Sequence, residues 1–221
     1  MSDKSSKGLI VLSGGMDSVT LLYDKIDEIA YALSFDYGSK HNGKELAMAK
    51  WHTKKVGIPH IIIPLSFMNA HFRSDLLKSG GDIPSGAYNE DNMKNTVVPF
   101  RNGIMLAIAS GLAESYKLKK VFIANHFGDH AIYPDCRSSF INPMKDAINN
   151  GTTNNVELVA PYTDITKNDI ACIAARLKVD IAHTYSCYRG GDKHCGECST
   201  CIERKDAIRN AGIEDPTEYE K

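Results

Sequence analysis

Short apolar runs alternate with helical apolar patterns along this chain, and the alternation predicts an α/β fold built on a doubly wound parallel sheet. Two further observations refine it. The first apolar run, residues 8–12 (GLIVL), is followed at once by the glycine-containing SGGMDS, and four cysteines crowd between positions 187 and 201. The 221 residues suit one large domain carrying a small appendage. The expected division is an α/β domain over 1–180 and a four-cysteine segment over 181–221 packed on it.

The elements follow in order. Residues 8–12, 30–37 (AYALSFDY), 60–65 (HIIIPL) and 120–126 (KVFIANH) read as strands. They are β-branched or aromatic and continuously apolar, the pattern of strands buried on both faces. Helices are predicted between them. Residues 16–24 turn Val19, Leu22 and Tyr23 inward, and 44–56 follow the second strand. Residues 103–117 place Ile104, Ile108 and Leu112 on one stripe. Residues 167–178 carry Ile170, Ile173, Ala174 and Leu177 at helical spacing, with Thr166 and Asp169 set as a capping box. Residues 66–98, rich in Gly, Ser, Pro, Asp and Asn, read as a long loop. Residues 202–221 read as a short polar helix and a tail.

Composition excludes several classes. Hydrophobic residues are 43% and charged residues 24%, so the chain is neither disordered nor of low complexity. Lys and Arg number 26 against 27 Asp and Glu, without the basic excess of a dedicated nucleic-acid binder. No apolar run approaches the roughly 20 residues that span a bilayer, and the start lacks a signal-peptide pattern, so the expected compartment is the cytoplasm. Six cysteines there are not expected to form disulfides.

The segment Ser13-Gly14-Gly15-Met16-Asp17-Ser18 sits where a strand hands over to a helix. Its glycines let backbone approach an anion, the helix start offers unpaired N–H groups, and the two serines add hydroxyls. A carboxylate inside such a site is repulsive unless it holds a cation, so Asp17 points to Mg²⁺. The motif is neither GxGxxG nor the Walker loop. It resembles the PP-loop of the ATP pyrophosphatases. That resemblance implies the adenine nucleotide alpha hydrolase-like fold and a loop, with Leu12, Ser13, Gly14, Gly15, Met16 and Ser18, that holds the pyrophosphate of ATP. Asp36, closing the second strand, is expected near the adenosine.

Cys187, Cys195, Cys198 and Cys201 match a tetrahedral Zn²⁺ site with tight chelating turns. A redox C-x-x-C pair and an iron–sulfur cluster are the alternatives. Four thiolates leave no open position, so the zinc is expected to be structural. Cys172 reads as a packing residue. His126 and His130 read as part of a polar loop at the sheet edge. Asp135 and Arg137 read as a salt-bridged turn, or as recognition of a planar heterocycle. Arg101 and Lys167 lie at helix starts, where a cation is unfavourable unless an anion sits beside it.

VLSGGMDSVTLLY, FDYGSKHN, VVPFRNGIMLAIA, IYPDCR, the APY–TK stretch before Lys167 and TYSCYRGGDKHCGECSTCIERK together resemble the 7-cyano-7-deazaguanine synthase family of the queuosine pathway. The family pattern D-Y-S-G before YPDCR is here Asp129-His130-Ala131-Ile132. The resemblance implies ATP-dependent conversion of 7-carboxy-7-deazaguanine and ammonia to the nitrile, in a homodimer, with no nucleic-acid or membrane partner. It implies Asp17, Arg101 and Lys167 as catalytic residues and Asp135 and Arg137 as substrate contacts. A tRNA thiolase, a related amide ligase and a zinc-ribbon binding module are the competing readings.

Overall fold

A computed structural model describes residues 6–87 and 93–220. Five parallel strands form one sheet in the order β3-β2-β1-β4-β5. They are β1 (Gly8–Val11), β2 (Ile29–Asp36), β3 (His60–Pro64), β4 (Lys120–Phe122) and β5 (Glu157–Val159). The helices are α1 (Met16–Asp24), α2 (Asn42–Val56), α3 (Ser66–His71), α4 (Arg101–Ser115), α5 (Ser138–Gly151), α6 (Lys167–Arg176) and α7 (Ser199–Asn210).

Alternation along the central strands divides the core. Leu9 of β1 and Val121 of β4 face a cluster built with Leu106 and Ala109 of α4 and Ile141 of α5. Ile10 and Phe122 face the opposite cluster, with Leu21 of α1, Ile170 of α6 and Ile208 of α7. Both faces of β1 and β4 are therefore dry, which explains their unbroken apolar sequence. β3 departs from that expectation. It is the edge strand, and Ile62 is 46% exposed. β5 and α5 lie outside the predicted elements, because β5 has three residues and α5 carries Pro143.

Several expectations need correction. The strand predicted to 126 ends at Phe122, and residues 123–126 run on beyond the ladder. The stripe of Ile104, Ile108 and Leu112 only flanks the core, while Met105, Leu106, Ala109 and Ala113 form the buried face of α4. Residues 94–115 are long and apolar enough by count to cross a membrane, although the sequence suggested no such run. They break at Phe100, which stands in the left-handed region at φ 51°, and the helix beyond it packs against the sheet. Cys172 is exposed on α6 rather than packed. The region 66–98, expected as loop, contains α3, and its Leu76 and Leu77 are fully buried; residues 88–92 lie outside the described set. The C-terminal segment shares both cores, since Cys187 and Cys201 sit in one cluster and Ala207 and Ile208 in the other.

Strand order reverses between β1 and β4, whose neighbouring carboxyl ends open a crevice. In open α/β sheets such a switch point is where ligands bind. Capping boxes and loop ends then determine which side chains enter it.

Candidate active site

The crevice is a cleft of about 200 Å³ between the β1 and β4 ends, closed by the starts of α1, α4 and α6 and by the cysteine segment. The loop after β1 is self-braced. Ser18 Oγ accepts from the Ser13 and Gly14 backbone N–H groups at 3.2 and 3.3 Å and lies 2.9 Å from Ser13 Oγ. Gly15 N donates to Ser13 Oγ at 3.1 Å. Gly14 has φ 99°, and a Cβ there would strike the Glu45 carbonyl of α2. Both facts require glycine. Gly15 caps α1 without a side-chain hydrogen bond, so the first N–H groups of the helix remain for an anion.

Asp17, in the first turn of α1, faces Lys167, the first residue of α6. Lys167 Nζ lies 3.0 Å from Asp17 Oδ2 and 3.3 Å from Glu203 Oε2. The Thr166–Asp169 capping box is formed as expected and fixes that helix start. Burial works against the Asp17 carboxylate, but Lys167 and then His126 outweigh it and hold its pKa below the usual range. Burial likewise opposes the Lys167 charge, which Asp17 and Glu203 keep well above its ordinary pKa.

His126 is 2% exposed. Its Nδ1 accepts from Gly128 N at 3.1 Å, which leaves the ring proton on Nε2, 3.7 Å from Asp17 and 3.6 Å from Asp129. It therefore lies at the switch point beside β1, not at a sheet edge.

The opposite wall carries Tyr37, His41, Glu45, Arg101, Tyr133 and Tyr188. Arg101 Nη1 donates to Tyr37 Oη at 3.3 Å. His41 stacks on Tyr188 with ring centroids 5.2 Å apart. Burial pushes the Glu45 carboxyl up to about 8, against the opposing pull of Arg101. Burial takes His41 down to about 3. The 3.4 Å approach of His41 Nε2 to Glu45 Oε2 is thus a contact between two neutral groups at pH 7, not an ion pair.

The structure gathers Ser13, Gly15, Asp17, Ser18, Arg101 and Lys167 into this cleft. Leu12 and Met16 also border it, with side chains 0% and 1% exposed in the core beneath. Asp36, Asp135 and Arg137 do not line it. Asp36 turns outward and accepts from Gly38 N at 3.4 Å. Asp135 accepts from the Asn102 backbone N–H at 2.8 Å, bracing the start of α4. Arg137 is exposed and donates to the His130 carbonyl at 2.6 Å. His41, Glu45, His126, Asp129, Tyr188 and Glu203 also enter the cleft. The sequence marked His41 only within FDYGSKHN, Glu45 within the helix over 44–56, His126 as a polar-loop residue, Asp129 within the DHAI stretch, and Tyr188 and Glu203 within the cysteine segment.

Two metals are implied, and the residues fit both. Asp17 Oδ1 is buried without a hydrogen-bond partner, in a carboxylate that stays ionised, as a Mg²⁺ ligand would require. The four clustered cysteines are buried and unbridged, and their Sγ atoms all lie within 4.8 Å of one another. Cys195 N and Cys198 N donate to the sulfurs of Cys187 and Cys195 at 3.4 and 3.3 Å. Gly196, at φ 77°, permits the tight turn between Cys195 and Cys198. This soft donor set of four clustered sulfurs suits a structural metal.

The family described as "Queuosine biosynthesis protein QueC" matches residues 7–212. The chain is 65% identical over 217 residues to the 7-cyano-7-deazaguanine synthase of Porphyromonas gingivalis, covering 98% of this chain and 99% of the relative. It is 51% identical to the enzyme of that name from Desulfotalea psychrophila, over 96% and 97% of the two chains. It is 46% identical to that of Methanoregula boonei, over 97% and 99%. The solved structure of the NMN synthetase from Francisella tularensis aligns with 95% of this chain and 79% of that one, at a TM-score of 0.49 and 13% identity. With its phosphate-type loop, its four-cysteine cluster and this match over nearly its whole length, the chain belongs to the QueC family of queuosine biosynthesis proteins.

Proposed function

We propose that the chain is a carbon–nitrogen ligase that converts 7-carboxy-7-deazaguanine and ammonia to 7-cyano-7-deazaguanine, consuming ATP. The observation that carries this reading is one cleft in which an anion loop, an ionised Asp17, and the cations Lys167 and Arg101 converge beside a wall of aromatic rings. A carboxylate resists attack by ammonia until its oxygen is made a leaving group. Its oxygen attacks the α-phosphorus of ATP, the bond to the β-phosphate oxygen breaks, and pyrophosphate leaves. Ammonia adds to the activated carbon and expels AMP, giving an amide and a proton. Adenylylation of the amide oxygen and loss of AMP with the remaining nitrogen protons then give the nitrile.

The residues act mainly by positioning and charge. The N–H groups at the start of α1 and the hydroxyls of Ser13 and Ser18 receive the pyrophosphate. Lys167 and Arg101 meet the negative charge that the reactants bring. Mg²⁺, held through Asp17, supplies neutralisation of the nucleotide phosphates when bound. His126, between Asp17 and Asp129, orients the two carboxylates. Cys187, Cys195, Cys198 and Cys201 would hold a structural Zn²⁺ and so would tie the segment carrying Tyr188 and Glu203 into the cleft wall. Asp36, Asp135 and Arg137 act from outside the cleft, by bracing its rim.

The family relationship and the six unbridged cysteines support a cytoplasmic enzyme. The homodimer that the family resemblance implies is part of this reading. The deciding experiment supplies ATP, ammonium and 7-carboxy-7-deazaguanine and analyses products by mass spectrometry. The nitrile, AMP and pyrophosphate are expected. ADP and phosphate, or a reaction that stops at the amide, would contradict the scheme.

A further inference from the structure

The two cations of the cleft stand in opposite circumstances. Lys167 is matched by Asp17 and Glu203 at 3.0 and 3.3 Å. Arg101 has no carboxylate within 4.0 Å among the described residues, and its side chain donates to the Tyr37 hydroxyl at 3.3 Å. Asp135 favours the Arg101 charge from beyond pairing distance while accepting from the Asn102 backbone N–H at 2.8 Å.

Three separate costs fall on this one position. A partly exposed guanidinium stands with no carboxylate at pairing distance, Asp135 acting on it only from further off. It sits on the first residue of α4, where the helix dipole repels a cation. The residue before it, Phe100, is a bulky side chain held at φ 51°, and the Phe100 ring lies where a Gly103 Cβ would be. Packing alone favours none of these. They are offset when an anion arrives at the guanidinium.

That anion is not the pyrophosphate of the β1 loop, which has its own helix start and lies by Lys167. The surroundings of Arg101 are flat rings. Its Cζ is 5.8 Å from the Tyr37 ring centroid, Tyr133 and Tyr188 meet hydroxyl to hydroxyl at 3.2 Å, and His41 stacks on Tyr188. Planar walls with a forked cation between them suit a planar acid. We infer that Arg101 anchors the reacting carboxylate of the heteroaromatic acid, with Tyr37, Tyr133, Tyr188 and His41 forming the surface that receives its ring. This rests on the proposed reaction and adds to it a substrate subsite, distinct from the Asp135–Arg137 turn that the sequence suggested.

The test exploits the amide intermediate, which has the same ring but no charge. KM values for the acid, for 7-amido-7-deazaguanine and for ATP are measured in wild type and Arg101→Gln. The acid's KM should rise roughly 30- to 100-fold, as expected for losing a charged hydrogen bond, while those for the amide and ATP stay within about threefold. The unliganded Arg101→Gln protein should melt within a few degrees of wild type, because the removed charge makes no ion pair. Arg101→Lys keeps the charge without the fork and should give an intermediate acid KM; it also serves if the neutral variant fails to fold. Equal losses for acid and amide, or a shift confined to ATP, would place Arg101 on the nucleotide and overturn the inference. Equilibrium titration without ATP separates the two claims. Tighter binding of the acid than of 7-deazaguanine, lost in Arg101→Gln, with no nitrile formed, would sink the reaction and leave the anchor. Nitrile formation with equal affinity for both ligands would do the reverse.

Discussion

At Asp17 a single carboxylate has two oxygens in different situations: Oδ2 meets Lys167 and His126, while Oδ1 is buried and unpartnered. Asp17→Asn keeps the shape and removes the charge that a cation would need. Turnover should fall by at least about 100-fold, with the melting temperature changed by only a few degrees. Near-wild-type rates at saturating Mg²⁺, with intact circular dichroism, would remove Asp17 from the mechanism. Glu45 tests the electrostatics from the other side. Its pKa is raised to about 8 by burial, so between the unfolded value near 4.5 and pH 8 the native state holds a proton that the unfolded state has lost. Its contribution is therefore complete below pH 4.5 and disappears as pH climbs through 8. Glu45→Gln does not titrate. Relative to wild type, its melting temperature should rise by on the order of 10 °C between pH 5 and pH 8.5. A difference independent of pH would show that Glu45 ionises normally.

Helix starts are the devices that aim these side chains. α1 presents the loop and Asp17, α4 presents Arg101, and α6 presents Lys167. The α6 start is held by reciprocal bonds: Asp169 N donates to Thr166 Oγ1 at 3.2 Å, and Thr166 N donates to Asp169 Oδ2 at 2.8 Å. Thr166→Ala removes one half of the box and should cost about 1 kcal/mol, which is about 3 °C for a chain of this size. Lys167 follows directly, so KM for ATP should rise as well. A stability loss with unchanged KM would mean that the Asp17–Lys167 pair is positioned without the cap. The box was legible in the sequence because its chemistry is local. The buried face of α4 was not, because both Ile104 and Met105 are apolar and only packing against the sheet selects between them.

On the scale of the whole molecule, the cysteine segment joins the chain end to both cores and contributes Tyr188 and Glu203 to the cleft. Elemental analysis should find one Zn²⁺ per chain. Cys187, Cys195, Cys198 and Cys201 should resist alkylation until a chelator is added, whereas exposed Cys172 should react at once. Cys198→Ser should lower thermal stability before it affects chemistry. Visible absorption from an iron–sulfur cluster, or a Cys198→Ser protein with full metal content and one lost chemical step, would each rule out a closed structural zinc.

What depends on neighbours in the chain was already written in the order of residues. It contained the apolar runs of a sheet buried on both faces, the glycine and serine loop, the capping box before Lys167 and the cysteine spacing. Each is a short-range pattern in which residue type and interval specify the local geometry. Only the tertiary structure decided which distant residues share the cleft. His126 lies beside Asp17 because β4 returns next to β1. Tyr188 and Glu203 reach it because the cysteine segment folds back. Asp36 and Arg137 match expected motifs yet turn outward, because a strand end and a short turn each offer a side chain two directions. The state of Arg101, a cation facing rings with no carboxylate at pairing distance, depends on what α4 is packed against, which no interval in the sequence encodes.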